Sequence, residues 1–188
     1  MRRIILSGTS YAGKSGLLSG FEKAGYKVVP ESETQVVQEL VKKLGSEATR
    51  KWIRENYYEF KKLVGERVAE VEKTINVGKD EVVIFDRSAI CYIGYCHLRN
   101  SKAPQILEEL SKKLTGADVL FLDALGSFDE RKTEGRIMTK EEAQNLTELI
   151  KLEYEKRGFK LIPIPEFYPD EERNVQARIK HIQKILSI

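Results

Sequence analysis

The sequence predicts an α/β fold, a parallel sheet covered by helices on both faces. Three observations carry this expectation. Five short apolar runs, at 4–7, 27–30, 82–86, 118–122 and 160–164, alternate with longer stretches of helical pattern, as βαβ units do. The first run leads directly into a glycine-rich segment and then a helical pattern. The residues with chemical potential gather just after the runs, at the carboxyl ends of strands where such sheets bind ligands.

Taken in order, Arg3-Ile4-Ile5-Leu6-Ser7 reads as a strand and the stretch from Gly16 to Phe21 as the first turns of a helix, which Gly25 ends as a C′ residue. Between them stands Gly8-Thr9-Ser10-Tyr11-Ala12-Gly13-Lys14-Ser15, the full phosphate-binding pattern G-x-x-x-x-G-K-[ST] in the strand–loop–helix context it requires. Gly8 and Gly13 let the backbone wrap so that its N–H groups point at phosphate oxygens. The loop from Gly8 through Ser10, Tyr11, Ala12 and Gly13 is therefore expected to cradle a nucleotide's phosphates. The helix N-terminus adds partial positive charge there. Lys14 is placed to reach the β- and γ-phosphates and the Ser15 hydroxyl to ligate Mg²⁺.

The second strand, 27–30, runs into Glu31-Ser32-Glu33. From 46 to 77 the apolar residues Ile53, Tyr57, Phe60, Val64, Val68, Val71 and Ile75 step by three and four, one seam on a long helix or on two. Gly65 marks a candidate kink, and Trp52 and Tyr58 lie near the seam as core or acceptor-pocket residues. The third strand, 82–86, is followed by a helix over 88–99 and another opened by Pro104. The fourth strand, 118–122, precedes the charged segment 129–136. Thr139-Lys140-Glu141-Glu142 is a capping-box signature for a helix that Gly158 stops. After the fifth strand, Asp170 caps a last helix with Val175, Ile179, Ile182, Ile185 and Leu186 on its apolar face.

At 188 residues the chain has the size of one domain, expected to bury roughly 70% of its unfolded surface. Domain organisation is read as one unit, 1–188, with a short lid at about 126–139. Cys91 and Cys96 are too few for a disulfide framework and lack zinc spacing, so they read as reduced thiols of a cytoplasmic protein. No run approaches a membrane span. A net charge of +3, with both signs interspersed, neither requires nor excludes nucleic acid.

Four further strand-end sites complete the reading. Glu31 is the candidate base, or a carboxylate orienting an acceptor hydroxyl; the competing reading is a helix-start acid, which suits Glu33 better. Val82 to Asp86 resembles a Walker B strand, with Asp86 holding Mg²⁺ through water or taking part in acceptor activation. Arg87 has the planar fork that matches phosphoryl oxygens; the alternative is an Asp–Arg pair that only fixes the strand end. Arg131 and Arg136, flanking Gly135, suit a lid that brings an arginine to the γ-phosphoryl group, or else a solvated surface. Pro163 and Pro165 stiffen a loop that either flanks the nucleotide base, through Pro165, or simply turns into the last helix.

Gly8–Ser15, Val28 to Glu31, Val83 to Arg87, the Arg131–Gly135–Arg136 segment and Gly158 to Leu161 together make the chain resemble the AAA_28-type P-loop ATPase and kinase family. That family includes ribosylnicotinamide kinase domains and is related distantly to thymidylate and deoxynucleoside kinases. The resemblance spans essentially the whole chain. It implies a three-layer P-loop NTPase fold with strand order 2-3-1-4-5, adenylate-kinase-like, and ATP with Mg²⁺ as phosphoryl donor.

The expected activity is ATP-dependent phosphoryl transfer to a hydroxyl of a small nucleoside-like acceptor. One alternative keeps the chemistry and makes the acceptor a hydroxymethyl pyrimidine in modified DNA, with Lys42, Lys43, Arg50, Lys51, Arg54, Lys61 and Lys62 tracking phosphates. Another is a non-catalytic, nucleotide-dependent switch module. Glu31, Asp86 and Arg87 favour catalysis over mere binding.

Overall fold

The computed structural model describes residues 1–9, 12–78, 80–122 and 139–188. Its elements are β1 (Arg2–Ser7), α1 (Lys14–Lys23), β2 (Lys27–Val29), α2 (Ser32–Leu44), α3 (Ser46–Glu55), α4 (Tyr57–Thr74), β3 (Val82–Asp86), α5 (Ala89–Leu98), α6 (Gln105–Lys112), β4 (Asp118–Leu122), α7 (Lys140–Lys156), β5 (Leu161–Ile164) and α8 (Glu171–Leu186). The strands form one parallel sheet in the order β2-β3-β1-β4-β5.

The strands are apolar at nearly every position because both faces are covered. Ile4 and Leu6 of β1, Ile84 of β3, and Leu120 and Leu122 of β4 face Leu17 and Phe21 of α1 and Ile179 and Ile182 of α8. The residues between them, Ile5, Val119 and Phe121, face Ile90 and Cys91 of α5 and Leu146, Ile150 and Tyr154 of α7. A third cluster joins α2, α4, α5 and α6 through Val36, Phe60, Val64, Tyr92, Ile93 and Leu107. At the sheet's two edges lie β2, of three residues, and β5, which contains Pro163.

The helical regions refine the sequence reading, which left the long seam to one helix or two. The long seam belongs to two helices, which part at Asn56; its first part packs in the α2–α6 cluster, and Val71 and Ile75 pack under β2 and β3. Gly65 lies within the unbroken α4, where a Cβ would sit 2.6 Å from Ile106 Cγ2 and 3.2 Å from Leu107 Cδ2. The glycine there serves the close approach of α6. Trp52 packs against the helical cluster, whereas Tyr58 is exposed. Residues 32–44, for which the sequence offered only a helix-start acid at Glu33, form α2.

Candidate active site at the carboxyl end of the sheet

Register assembles the site. Leu6 pairs with Asp86 and Val29 with Phe85. Gly8, Glu31 and Arg87 therefore emerge from three neighbouring strands at one level. The chain leaves β1 through Gly8, whose φ is +129° and whose added Cβ would lie 2.5 Å from the Leu122 carbonyl oxygen. Only glycine fits both the conformation and the approach to β4. Gly13 has φ 78° at the N-cap of α1, so the wrap turns directly into a helix N-terminus. Ala12 is fully buried, while Ser15 in the first turn of α1 is exposed. Ser10 and Tyr11 lie outside the described residues.

Lys14 is 6% exposed and its ammonium donates to the Thr9 carbonyl. Burial, and next the Arg87 guanidinium, brings its pKa down from 10.5 to about 7, against the opposing pull of Asp86 and Glu31. A lysine held this way lacks the counter-charge that a phosphate would supply.

Arg87 is the hub. Its backbone adopts φ 73°, a left-handed conformation uncommon outside glycine and concentrated at functional sites. Its N–H donates to the Leu6 carbonyl at 3.0 Å, and its Nη1 donates to the Gly8 carbonyl at 3.1 Å. Nε donates to Glu31 Oε1, and the guanidinium lies 5.1 Å over the Tyr95 ring. Burial works against its charge; Tyr95, Glu31 and Asp86 outweigh that effect, so it stays protonated. Asp86 is buried beside it at the end of β3.

Glu31 stands at the N-cap position of α2, yet its side chain does not cap the helix. Instead Oε1 receives Arg87 and Oε2 receives the Thr34 hydroxyl at 2.8 Å. Burial would raise its pKa, but Arg87, the Thr34 bond and Lys14 together hold it below the ordinary value. Glu33 is the acid in the first turn of α2, as expected of a helix-start residue. Its partner is Lys61, which is fully buried with its ammonium 2.5 Å from Glu33 Oε2 and 4.9–5.4 Å from the ring centroids of Tyr57, Phe60, Tyr92 and Tyr95. Lys61 is thus not one of a row of surface cations; Lys42, Lys43, Arg50, Lys51, Arg54 and Lys62 remain exposed.

Two further groups escaped the sequence reading. Ser88 caps α5, its Oγ accepting from Ile90 N at 3.2 Å, and lies 2.8 Å from the buried Tyr154 hydroxyl, which also neighbours Cys91 at 3.4 Å; Ser7 Oγ is 3.3 Å from the same sulfur. Both cysteines are free and buried. On the other face, Arg178 of α8 donates to the carbonyls of Ala12 and Pro165, which brings the exposed Pro165 loop beside the phosphate loop. Arg131, Arg136 and all of the expected lid but Thr139 lie outside the described residues; Thr139 forms the capping box with Glu142.

The hard oxygen donors of Ser15 and Asp86 suit Mg²⁺, which is held in nucleotide sites by one or two protein oxygens plus phosphates. Among the described residues there is no cluster of three or more His, Cys, Asp or Glu side chains that could hold a metal unaided. Nor is any described helix long and apolar enough to cross a membrane.

No curated protein sequence matches the chain. Among solved structures, deoxyadenosine kinase from M. mycoides superposes with a TM-score of 0.62 at 18% identity, covering 98% of each chain. Thymidylate kinase from Candida albicans gives 0.59 at 14% identity over 99% of this chain and 92% of its own. Shikimate kinase from Acinetobacter baumannii gives 0.54 at 20% identity over 100% and 94%. The fold is thus shared with nucleoside, nucleotide and shikimate kinases. With a family model described as an AAA domain matching residues 3–173, the chain belongs to the AAA_28 family.

Proposed function

We propose that the chain is a P-loop kinase, one domain over its whole length, that transfers the γ-phosphoryl group of ATP to a hydroxyl of a small nucleoside-like acceptor, with Mg²⁺. The observation that carries this reading is the convergence of Lys14, Glu31, Asp86 and Arg87 on one rim of the sheet, with Arg87 bonded to both Glu31 and the phosphate-loop carbonyl of Gly8. A nucleotide-dependent switch needs the loop and Lys14. It has no use for a carboxylate–arginine pair on the β2 side of the loop.

In this reading the loop N–H groups and Lys14 hold the donor's phosphates, and Lys14 is fully protonated once they supply the counter-charge. Ser15 and Asp86 would hold Mg²⁺, which neutralises charge on the phosphates. Arg87 binds oxygens of the acceptor or of the moving phosphoryl group. Glu31 accepts a hydrogen bond from the acceptor hydroxyl and takes its proton late; with its pKa held low it aligns more than it abstracts, which suffices for a loose transition state. A lid arginine, Arg131 or Arg136, meets the developing charge. The DNA reading loses Lys61 from its basic row, so the free acceptor is preferred.

Transfer of label from γ-labelled ATP should be screened over nucleosides, nucleotides, shikimate and hydroxymethyl-pyrimidine DNA, with folded Lys14→Ala as control. Label in a nucleoside-class acceptor, abolished in the variant, is the expected result. Turnover that survives Lys14→Ala, or label entering DNA alone, overturns it.

A further inference from the structure

Helix α8 lies against α1 at the two positions where α1 has no side chain. A Cβ on Gly20 would sit 2.6 Å from Ile179 Cδ1 and 2.9 Å from Val175 Cγ1, and one on Gly16 would sit 3.4 Å from Val175 Cγ2. This approach brings the polar edge of α8 under the phosphate loop. Arg178 there is 1% exposed; its Nη1 donates to the Ala12 carbonyl at 2.7 Å and its Nε to the Pro165 carbonyl at 2.9 Å. One turn earlier, the buried Asn174 Oδ1 accepts the backbone N–H of Phe167 at 2.8 Å and of Tyr168 at 3.4 Å. One helix edge thus fastens the loop after β5 at three backbone groups and the phosphate loop at a fourth.

We infer that Arg178 is a positioning residue that couples the phosphate loop to the loop after β5, so that contacts with the nucleotide's base and with its phosphates reinforce each other. The inference rests on the kinase reading, in which those loops meet opposite ends of one ATP. The chemistry is particular to the guanidinium. Its planar fork satisfies two carbonyls from segments 12 and 165 at once, and those bonds are charge-assisted. A lysine ammonium offers one rotatable nitrogen in place of two fixed ones, so it cannot reproduce the separate Nε and Nη1 bonds.

The test uses the full chain with Arg178→Lys, and with Arg178→Gln as a second variant in case the buried ammonium impairs folding; circular dichroism confirms the fold of each. Binding of ATP and of inorganic tripolyphosphate, which has no base, is measured by calorimetry for wild type and variants. Coupling predicts that ATP affinity falls about tenfold, the scale of one charge-assisted hydrogen bond, and that the preference for ATP over tripolyphosphate narrows. Amide exchange without ligand should quicken both at 12–15 and at 166–168, while the amides of α8 keep their protection. A merely structural brace would lower the melting temperature and leave the ATP preference unchanged; that result, with ATP affinity within about twofold of wild type, overturns the inference alone. A wild-type protein that binds no ATP overturns the kinase reading and this inference with it.

Discussion

Replacing Lys14 with methionine should abolish phosphoryl transfer and, at the same time, stabilise the nucleotide-free protein. The fold buries this ammonium with no carboxylate bonded to it among the described residues, and its pKa drops from 10.5 to about 7. At about 1.4 kcal/mol for each pH unit between those values, carrying the charged lysine into the folded state costs up to ~5 kcal/mol. The variant also loses the bond to the Thr9 carbonyl, a charged hydrogen bond of about 1.5–3 kcal/mol. A net gain of roughly 2 kcal/mol remains, or about 4–8 °C in Tm for a chain of this length. The pH dependence has a definite sign. Between about pH 7 and 10.5 the unfolded lysine keeps the proton that the folded one has released, so wild-type stability rises with pH over that window. The variant's advantage is therefore full at and below about pH 7 and shrinks as the pH climbs. Thermal denaturation of both proteins without nucleotide, from about pH 6 to about pH 9.5, reads this directly. A variant that melts below wild type at neutral pH, or a difference that stays constant across the range, refutes the reasoning.

Glu31→Gln should lower kcat by about 10²-fold, the low end of general-base effects for a carboxylate that mainly aligns the acceptor, with little change in ATP affinity; single-turnover rates within a few-fold of wild type would move the base assignment to Asp86. Because the Glu31 carboxyl is held below its ordinary 4.5, its pairing with Arg87 stabilises the fold above that pH and is lost as the pH falls through the lowered value, a dependence the glutamine variant should lack in acid denaturation. Asp86→Asn should raise the Mg²⁺ concentration for half-maximal turnover by about 10–100-fold, with a smaller effect on the melting midpoint; an unchanged Mg²⁺ requirement with a lowered midpoint makes Asp86 a strand-end residue only. Lys61→Met leaves Glu33 without its partner and should cost about 3 kcal/mol in denaturant titration, and adding Glu33→Gln should recover part of the loss; strictly additive losses would show that the pair is not coupled.

The strands and the rim of the site were legible because they follow from short-range grammar, whereas the sheet order came only with the family resemblance, since which strands pair is a long-range matter. Apolar runs, a complete phosphate-binding motif and residues placed one or two positions past a strand end are all visible in the chain itself. Glu31 and Arg87 could be placed on the same rim, but their bond across 56 positions depends on β3 lying between β1 and β2. Lys61 was misplaced among surface cations although it lies four after Tyr57 and three before Val64, on the same apolar seam. A lysine in register with a hydrophobic stripe was the available signal, and what buries it is an acid on another helix. Arg178 carried a comparable signal, adjoining Ile179 on the buried side of α8 and four after Asn174, but its partners are backbone carbonyls, which no side-chain pattern announces. For helix α2 the sequence offered a helix-start acid at Glu33 but no extent; Val36 and Leu40, one turn apart on its inner face, carry the rest of that signal.

The two outermost strands also bear on solubility during and after synthesis. An open sheet offers unpaired backbone groups along its margins, and such margins can template pairing with a second chain. Here one margin is only the three residues of β2, beginning with the exposed Lys27, and the other places Pro163 midway along β5. A strand that short gives an incoming chain little to pair with, and a proline withholds the donor a ladder would need. The chain thus carries its own guards against edge-to-edge aggregation. Pro163→Val would return a backbone donor to β5 and should raise the tendency of the protein to self-associate, read by light scattering against wild type.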